Sequence, residues 1–136
     1  MHHDTKIAIA VRDDLEVWQK LNVVAFLASG VAARAPESIG EAYHDAGGVP
    51  YLAIFGQPVL VFAGDADALA KAHRRALERN LELAIYTEGM FATGNDVDNR
   101  QVVAALPTAA LAPVGIALRA DRKDVDRALK GLKLHP

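Results

Sequence analysis

The sequence contains no cysteine among its 136 residues, which removes disulfides, thiolate metal sites and cysteine nucleophiles together and fits a reducing, cytoplasmic compartment. Long apolar runs are missing too. The longest, Val23 to Ala28, falls far short of the roughly 18–20 residues of a membrane span. Met1-His2-His3-Asp4-Thr5-Lys6 opens no apolar stretch behind a basic start, so neither a signal peptide nor a membrane role is expected. Nor is there a surplus of one charge. Fifteen basic and 17 acidic side chains leave a net −2, too little to point to nucleic acid. The charge is uneven, however: residues 1–68 carry 4 basic and 9 acidic side chains, and residues 69–136 carry 11 and 8. The simplest account is that the basic residues form the solvated sides of two helices.

Internal repeats, low-complexity tracts and linkers are also absent, so residues 1–136 are expected to form a single domain. At 51% hydrophobic and 24% charged residues, the composition is that of an ordinary globular protein. Lys6–Arg12 reads as a buried strand with charged ends. From about Leu15 to Ala33, Val17, Leu21, Val24, Ala28 and Val31 recur at helical spacing, while Val23, Phe26 and Leu27 make a second side apolar. Such a helix needs cover on both faces, from its own domain or from a second subunit. Further strands are expected at Gln57–Ala63, Leu81–Thr87 and Val114–Arg119. Between them lie a helix carrying Leu69, Ala72, His73, Ala76 and Leu77 on its inner stripe, a short helix from Asp96 to Leu106, and a last helix burying Val125, Ala128, Leu129 and Leu132. Aspartates after Gly64 and at 121 suit N-caps, and Asn80 suits a left-handed stop. Asp45-Ala-Gly-Gly48 suits the tight turn of a small extra hairpin. Alternating strands and helices imply an α/β fold, with about four main strands in a mixed sheet between helical layers.

The chemistry is harder to find. There is no Gly-x-Ser-x-Gly elbow, no phosphate loop ending in Gly-Lys-Ser/Thr and no zinc-type histidine pair, so neither a metal nor a cofactor is expected. His2, His3 and His135 are near the ends of the sequence, His44 is in the hairpin, and His73 is on a packing stripe where a structural role is the simpler account. Open α/β sheets place ligands beyond the carboxyl ends of their strands. That rule singles out Arg12, Asp13 and Asp14 after the first strand, and Glu88 with the polar loop Gly89–Asp96 after the third. Asn22 and Ser29, seven residues apart, share one face of the first helix; satisfying buried neighbours is slightly the better account of them. Lys20 either meets an anionic group or is plain surface.

Val11-Arg-Asp-Asp-Leu15 before a long apolar helix, Pro58-Val-Leu-Val-Phe62, Leu77-Glu-Arg-Asn80 and Val114-Gly-Ile-Ala-Leu118 resemble the class II peptidyl-tRNA hydrolases. Phe55-Gly-Gln-Pro-Val59, Tyr86-Thr-Glu-Gly-Met-Phe-Ala-Thr-Gly94 and Leu129-Lys-Gly-Leu-Lys133 resemble most closely a bacterial family of unknown function within that superfamily. The resemblance covers nearly the whole chain and implies a three-layer α/β/α sandwich, commonly dimeric. It matches Glu88 to the hydrolase aspartate, Thr93 approximately to its threonine and, across a one-residue gap, Lys20 to its lysine. The positions of the hydrolase glutamine and histidine fall at Val24 and Leu27, or at Ala25 and Ala28 without the gap, and none of these can move a proton.

Two functions therefore stay open. One is a binding or regulatory module for a small ligand or a protein, with Arg12, Asp14, Trp18, Asn22 and Phe91 as ligand-binding residues and a homodimer formed through the first helix. The other is an ester or amide hydrolase acting on a peptidyl-tRNA-like substrate, with Lys20 orienting an anion while Glu88 and Thr93 activate water. A pocket uniting Lys20, Glu88 and Thr93 would favour the hydrolase, and a cleft of Trp18, Phe26 and Phe91 the binder.

Overall fold

The structure is a computed structural model and describes residues 4–136; His2 and His3 lie outside the described residues. Chain order runs β1 (Thr5–Arg12), α1 (Val17–Arg34), β2 (Tyr43–His44), β3 (Pro50–Tyr51), β4 (Val59–Gly64), α2 (Ala66–Glu78), β5 (Ala84–Thr87), α3 (Asp96–Ala104), β6 (Pro113–Asp121), α4 (Arg122–Ala128) and β7 (Lys133–Leu134). Short 3₁₀ turns occupy Pro36–Ser38, Glu88–Ala92 and Thr108–Ala110.

The sheet is mixed and has five strands in the order β5-β6-β1-β4-β7. The four expected strands are all present, and the fifth, β7, is a two-residue edge from the C-terminal segment, too short to leave a pattern in the sequence. β1 lies parallel to β4 and antiparallel to β6. It is central because Ile7 to Val11 is apolar without interruption, and all five residues are fully buried. Successive side chains point to opposite faces of a strand. Ile7, Ile9 and Val11 thus meet Val23, Leu27 and Val31 of α1, while Ala8 and Ala10 meet Leu69 and Ala72 of α2 and Val125 and Leu129. The result is three layers, α1 on one face and α2 with α4 on the other. Each fully buried Ile, Leu or Val contributes about 1.5–3 kcal/mol, which makes these two clusters the main stabilising feature.

Local signals act where expected. Asp65 accepts the Ala68 amide at 2.8 Å to start α2, and Asp121 accepts the Lys123 amide at 3.0 Å to start α4. Asn80 closes α2 in the left-handed region at φ 58. The β2–β3 hairpin forms around Asp45, whose Oδ1 accepts the Gly47 and Val49 amides while Oδ2 accepts the Tyr51 hydroxyl at 2.7 Å. Those bonds, led by the one from Tyr51, lower the Asp45 pKa.

Two expectations need correction. Leu77 is not inside but 40% exposed, because the inner stripe of α2 ends at Ala76, where the chain turns into Asn80. Leu81–Leu83 do not join the strand, which begins at Ala84. Of the two covers left open for the outer side of α1, the described residues of this chain do not supply one: Val17, Trp18, Leu21 and Phe26 are all more than half exposed.

Candidate functional site

Two arrangements of polar and aromatic side chains flank the N-terminal half of α1. The first is a groove of about 650 Å³ between α1 and the segment from Tyr86 to Asn99. Tyr86 forms its floor: as the last buried aromatic of β5 it stands between Phe26 and Phe91, with ring centroids 5.8 and 5.2 Å away. Such tilted pairs are favourable geometries for aromatic rings. Burial raises the Tyr86 pKa, keeping the phenol neutral. Trp18 and Asn22 supply the α1 wall, one turn apart. The far wall is the 3₁₀ turn Glu88–Ala92, held where the Thr87 amide meets Met90 Sδ at 3.2 Å. Thr93 donates its hydroxyl to the Met90 carbonyl at 3.0 Å and also contacts Asn99 Oδ1. Asn95 caps α3 by accepting the Asp98 amide at 2.9 Å. The rim is therefore mostly hydroxyls and amides. No lysine or arginine lines this groove, and Asp96, its one carboxylate, pairs with Arg100.

The second arrangement is ionic and lies at the carboxyl end of β1. Arg12 Nε donates to Asp14 at 2.6 Å and Nη1 to Glu88 at 3.4 Å. The hydrogen bond to Arg12 leads in lowering the Asp14 pKa, and Lys20 adds a smaller electrostatic contribution. Asp14 in turn raises that of Arg12. Lys20 Nζ itself sits 3.2 Å from His135 Nε2.

The ligand-binding candidates Trp18, Asn22 and Phe91 thus share the groove with Thr93, while Arg12, Asp14 and Glu88 form the ionic cluster beside it. Lys20 and Glu88 do not line the groove that holds Thr93. Asn22 and Ser29 do not satisfy buried neighbours. Both are exposed and bond carbonyls of their own helix, Trp18 and Phe26, as short polar side chains on helices commonly do. Sequence reasoning passed over Met90 and Asn99. Asn99 is on α3 six residues after Thr93, a spacing that carries no motif, and only the chain reversal at Gly94 brings the two together. Among the described residues, no group of three or more His, Asp or Glu is arranged to hold a metal ion.

The fold and groove define a mixed α/β domain with an aromatic-floored surface cleft. The chain belongs to the family described as a protein of unknown function, DUF2000, whose model matches residues 5–136. Among solved structures, a protein of unknown function from Agrobacterium tumefaciens strain C58 is 52% identical, with a TM-score of 0.97 over 99% of this chain and 100% of that one. No curated protein matches the sequence. Membership of a bacterial family of unknown function, expected from the signature stretches, therefore holds.

Proposed function

We propose that this protein is a binding module on a fold akin to the class II peptidyl-tRNA hydrolases, acting in the cytoplasm as a homodimer. Its groove takes an uncharged, largely apolar ligand that also offers amide or hydroxyl groups. One observation carries this reading: the groove gathers Trp18, Phe26 and Phe91 around Tyr86 without Lys20 or Glu88. An aromatic floor supplies contact area at low entropic cost. The hydroxyls and amides of Thr93, Asn22 and Asn99 supply direction without attracting net charge. A phosphate-bearing substrate would find no cation along these walls. The apolar side chains of α1 divide between the two roles. Val17 and Leu21, four apart, share the edge assigned to the second subunit, while Asn22 and Phe26 share the edge assigned to the ligand.

Trp18 is the single tryptophan and stands in the groove wall, so its fluorescence reports occupancy directly. Titration with N-acetylated, C-amidated apolar tetrapeptides should shift the emission saturably to shorter wavelength and protect it from acrylamide. Emission unmoved by every such peptide and by benzamide would end the binding reading. Peptidyl-tRNA cleavage that is abolished by Lys20→Ala or Glu88→Gln would replace it with the hydrolase.

A further inference from the structure

A second cleft opens on the α2 side of the sheet, and nothing in the groove reading uses it. It encloses about 470 Å³ between α2 and the segment Thr108–Pro113, within the roughly 300–1,000 Å³ typical of small-molecule sites. β1 and β4 run parallel, and the cleft lies beyond their carboxyl ends, where open α/β sheets place ligands. Arg12 ends β1 there, and Ala66 begins the helix that follows β4. Along α2, Ala66, Ala70, His73 and Arg74 line the cleft at helical spacing, facing Leu111.

His73 distinguishes this cleft from a surface dent. The residue is only 8% exposed, yet its ring has no hydrogen-bond partner among the described residues. Among the described residues no fully buried side-chain nitrogen is without a partner, so the ring nitrogens are not fully sealed from solvent. Packing has therefore removed almost all of the residue from water while leaving its ring nitrogens without a hydrogen-bond partner in a residue that lines the cleft. Burial also lowers its pKa, which holds the ring neutral with one donor and one acceptor.

Beside it, Arg74 is the group suited to an anion. Arg12 uses Nε on Asp14 and Nη1 on Glu88, leaving Nη2 without a bond. Arg74 has only Glu78, at 4.0 Å. Arg12 is thus already balanced by Asp14 and Glu88, whereas Arg74, held only by the long contact to Glu78, is the guanidinium in the cleft most open to an anion. Guanidinium forks match carboxylate geometry, and the alanine and leucine walls suit a short hydrocarbon. We infer that this cleft binds a small monocarboxylate, its carboxylate held by Arg74 and His73 and its chain lying along Ala66, Ala70 and Leu111.

The test is histidine-ring NMR on the full chain, titrated with butyrate and, as separate arms, butanol and inorganic phosphate. Butyrate should move the His73 ring signals saturably, with half-saturation raised at least tenfold in Arg74→Gln, whose exposed side chain leaves the fold untouched. In His73→Leu, checked for folding by circular dichroism, the butyrate-dependent amide shifts at Thr108 to Ala112 should disappear. Should that variant not fold, Arg74→Gln decides alone. The assignment is overturned if butyrate gives no saturable shift, if Arg74→Gln binds as tightly as the parent, or if butanol or phosphate matches butyrate.

Discussion

Gly115 of β6 lies directly beneath Val23 of α1: a Cβ at position 115 would stand 2.5 Å from Val23 Cγ1 and 2.9 Å from Leu27 Cδ1. Both neighbours are buried and cannot swing into solvent, so helix and sheet approach this closely only because the strand carries a bare Cα here. Gly115→Ala is expected to lower stability by about 1–3 kcal/mol through overpacking, read as a reduced urea midpoint with an unchanged slope. Gly94, around which an added Cβ meets nothing within 4 Å, is the control. Gly94→Ala should stay within about 0.5 kcal/mol of the parent.

The aromatic row of the groove separates binding from folding. Phe26 is 57% exposed, so Phe26→Ala leaves little cavity and forfeits mainly its pairing with Tyr86, about 0.5–1.5 kcal/mol. Ligand affinity, in contrast, should fall at least tenfold, since the ring is one of the four aromatic rings that line the groove. Trp18 quenching gives the affinity and thermal unfolding gives the stability. Equal proportional losses in both would show that Phe26 serves packing alone.

These contrasts also explain which features the sequence made legible. β1 and β6 could be read because a central strand is apolar on both faces, and the inner stripe of α2 because one side was charged. The caps Asp65, Asn80 and Asp121 act through their own neighbours and were equally plain. What escaped was set by distance along the chain. β7 is two residues long and exists only because it pairs with Phe62 and Ala63. Thr93 and Asn99 meet through a turn, and Arg12 reaches Glu88 across 76 positions. The exposure of Trp18 and Phe26 was concealed for another reason: an apolar residue looks the same in a sequence whether its cover is its own domain or another molecule.

Arg12 is the centre of the ionic cluster, and removing its charge should be visible at Asp14. The Asp14 carboxylate is held below its usual pKa chiefly by the hydrogen bond from Arg12. The lowered folded-state pKa means that Asp14 favours the folded chain above the usual aspartate value of about 3.9. That contribution is lost as pH falls through the folded-state pKa. In Arg12→Gln the carboxyl pKa should rise toward the ordinary range, measured by NMR titration of the Asp14 carboxyl carbon. A carboxyl that titrates identically in parent and variant would refute the pairing.

His73 acts on the same acid limb of the pH profile, but starting from higher pH. Burial lowers its pKa in the folded chain, so the unfolded chain binds more protons once pH drops below the usual histidine value of about 6.5. Stability should therefore be flat above that value with respect to this group, and fall on acidification until the folded-state pKa is reached. The charged groups bordering the ring in its cleft are Arg12, Arg74 and Glu78. Parent and His73→Gln, compared by urea unfolding at neutral and mildly acidic pH, should differ in slope, with the glutamine variant the less sensitive. A variant with the same pH dependence as the parent would locate the acid sensitivity elsewhere.

The β2–β3 arm bears on the second subunit. Its conformation is fixed by the Asp45 turn, yet it presents Tyr43, Val49, Tyr51, Leu52 and Ile54 to solvent, Leu52 at 89% exposure. Phe55 at its root packs on the same cluster as Val24 and Ala28, which sets the arm beside α1. An isolated chain rarely leaves more than a few hundred Å² of contiguous apolar surface uncovered. The arm and the Val17–Leu21 edge of α1 together leave seven large apolar side chains at least half exposed, while each partner of a stable complex buries roughly 800 Å². In the proposed homodimer this is the surface that the second copy covers. Sedimentation at micromolar concentration should give twice the chain mass. Leu52→Glu with Ile54→Glu should give the single chain, with little change in the circular dichroism spectrum because both side chains already face water. A parent that sediments as one chain would remove the homodimer from the proposal and leave the arm as a docking surface for a different protein.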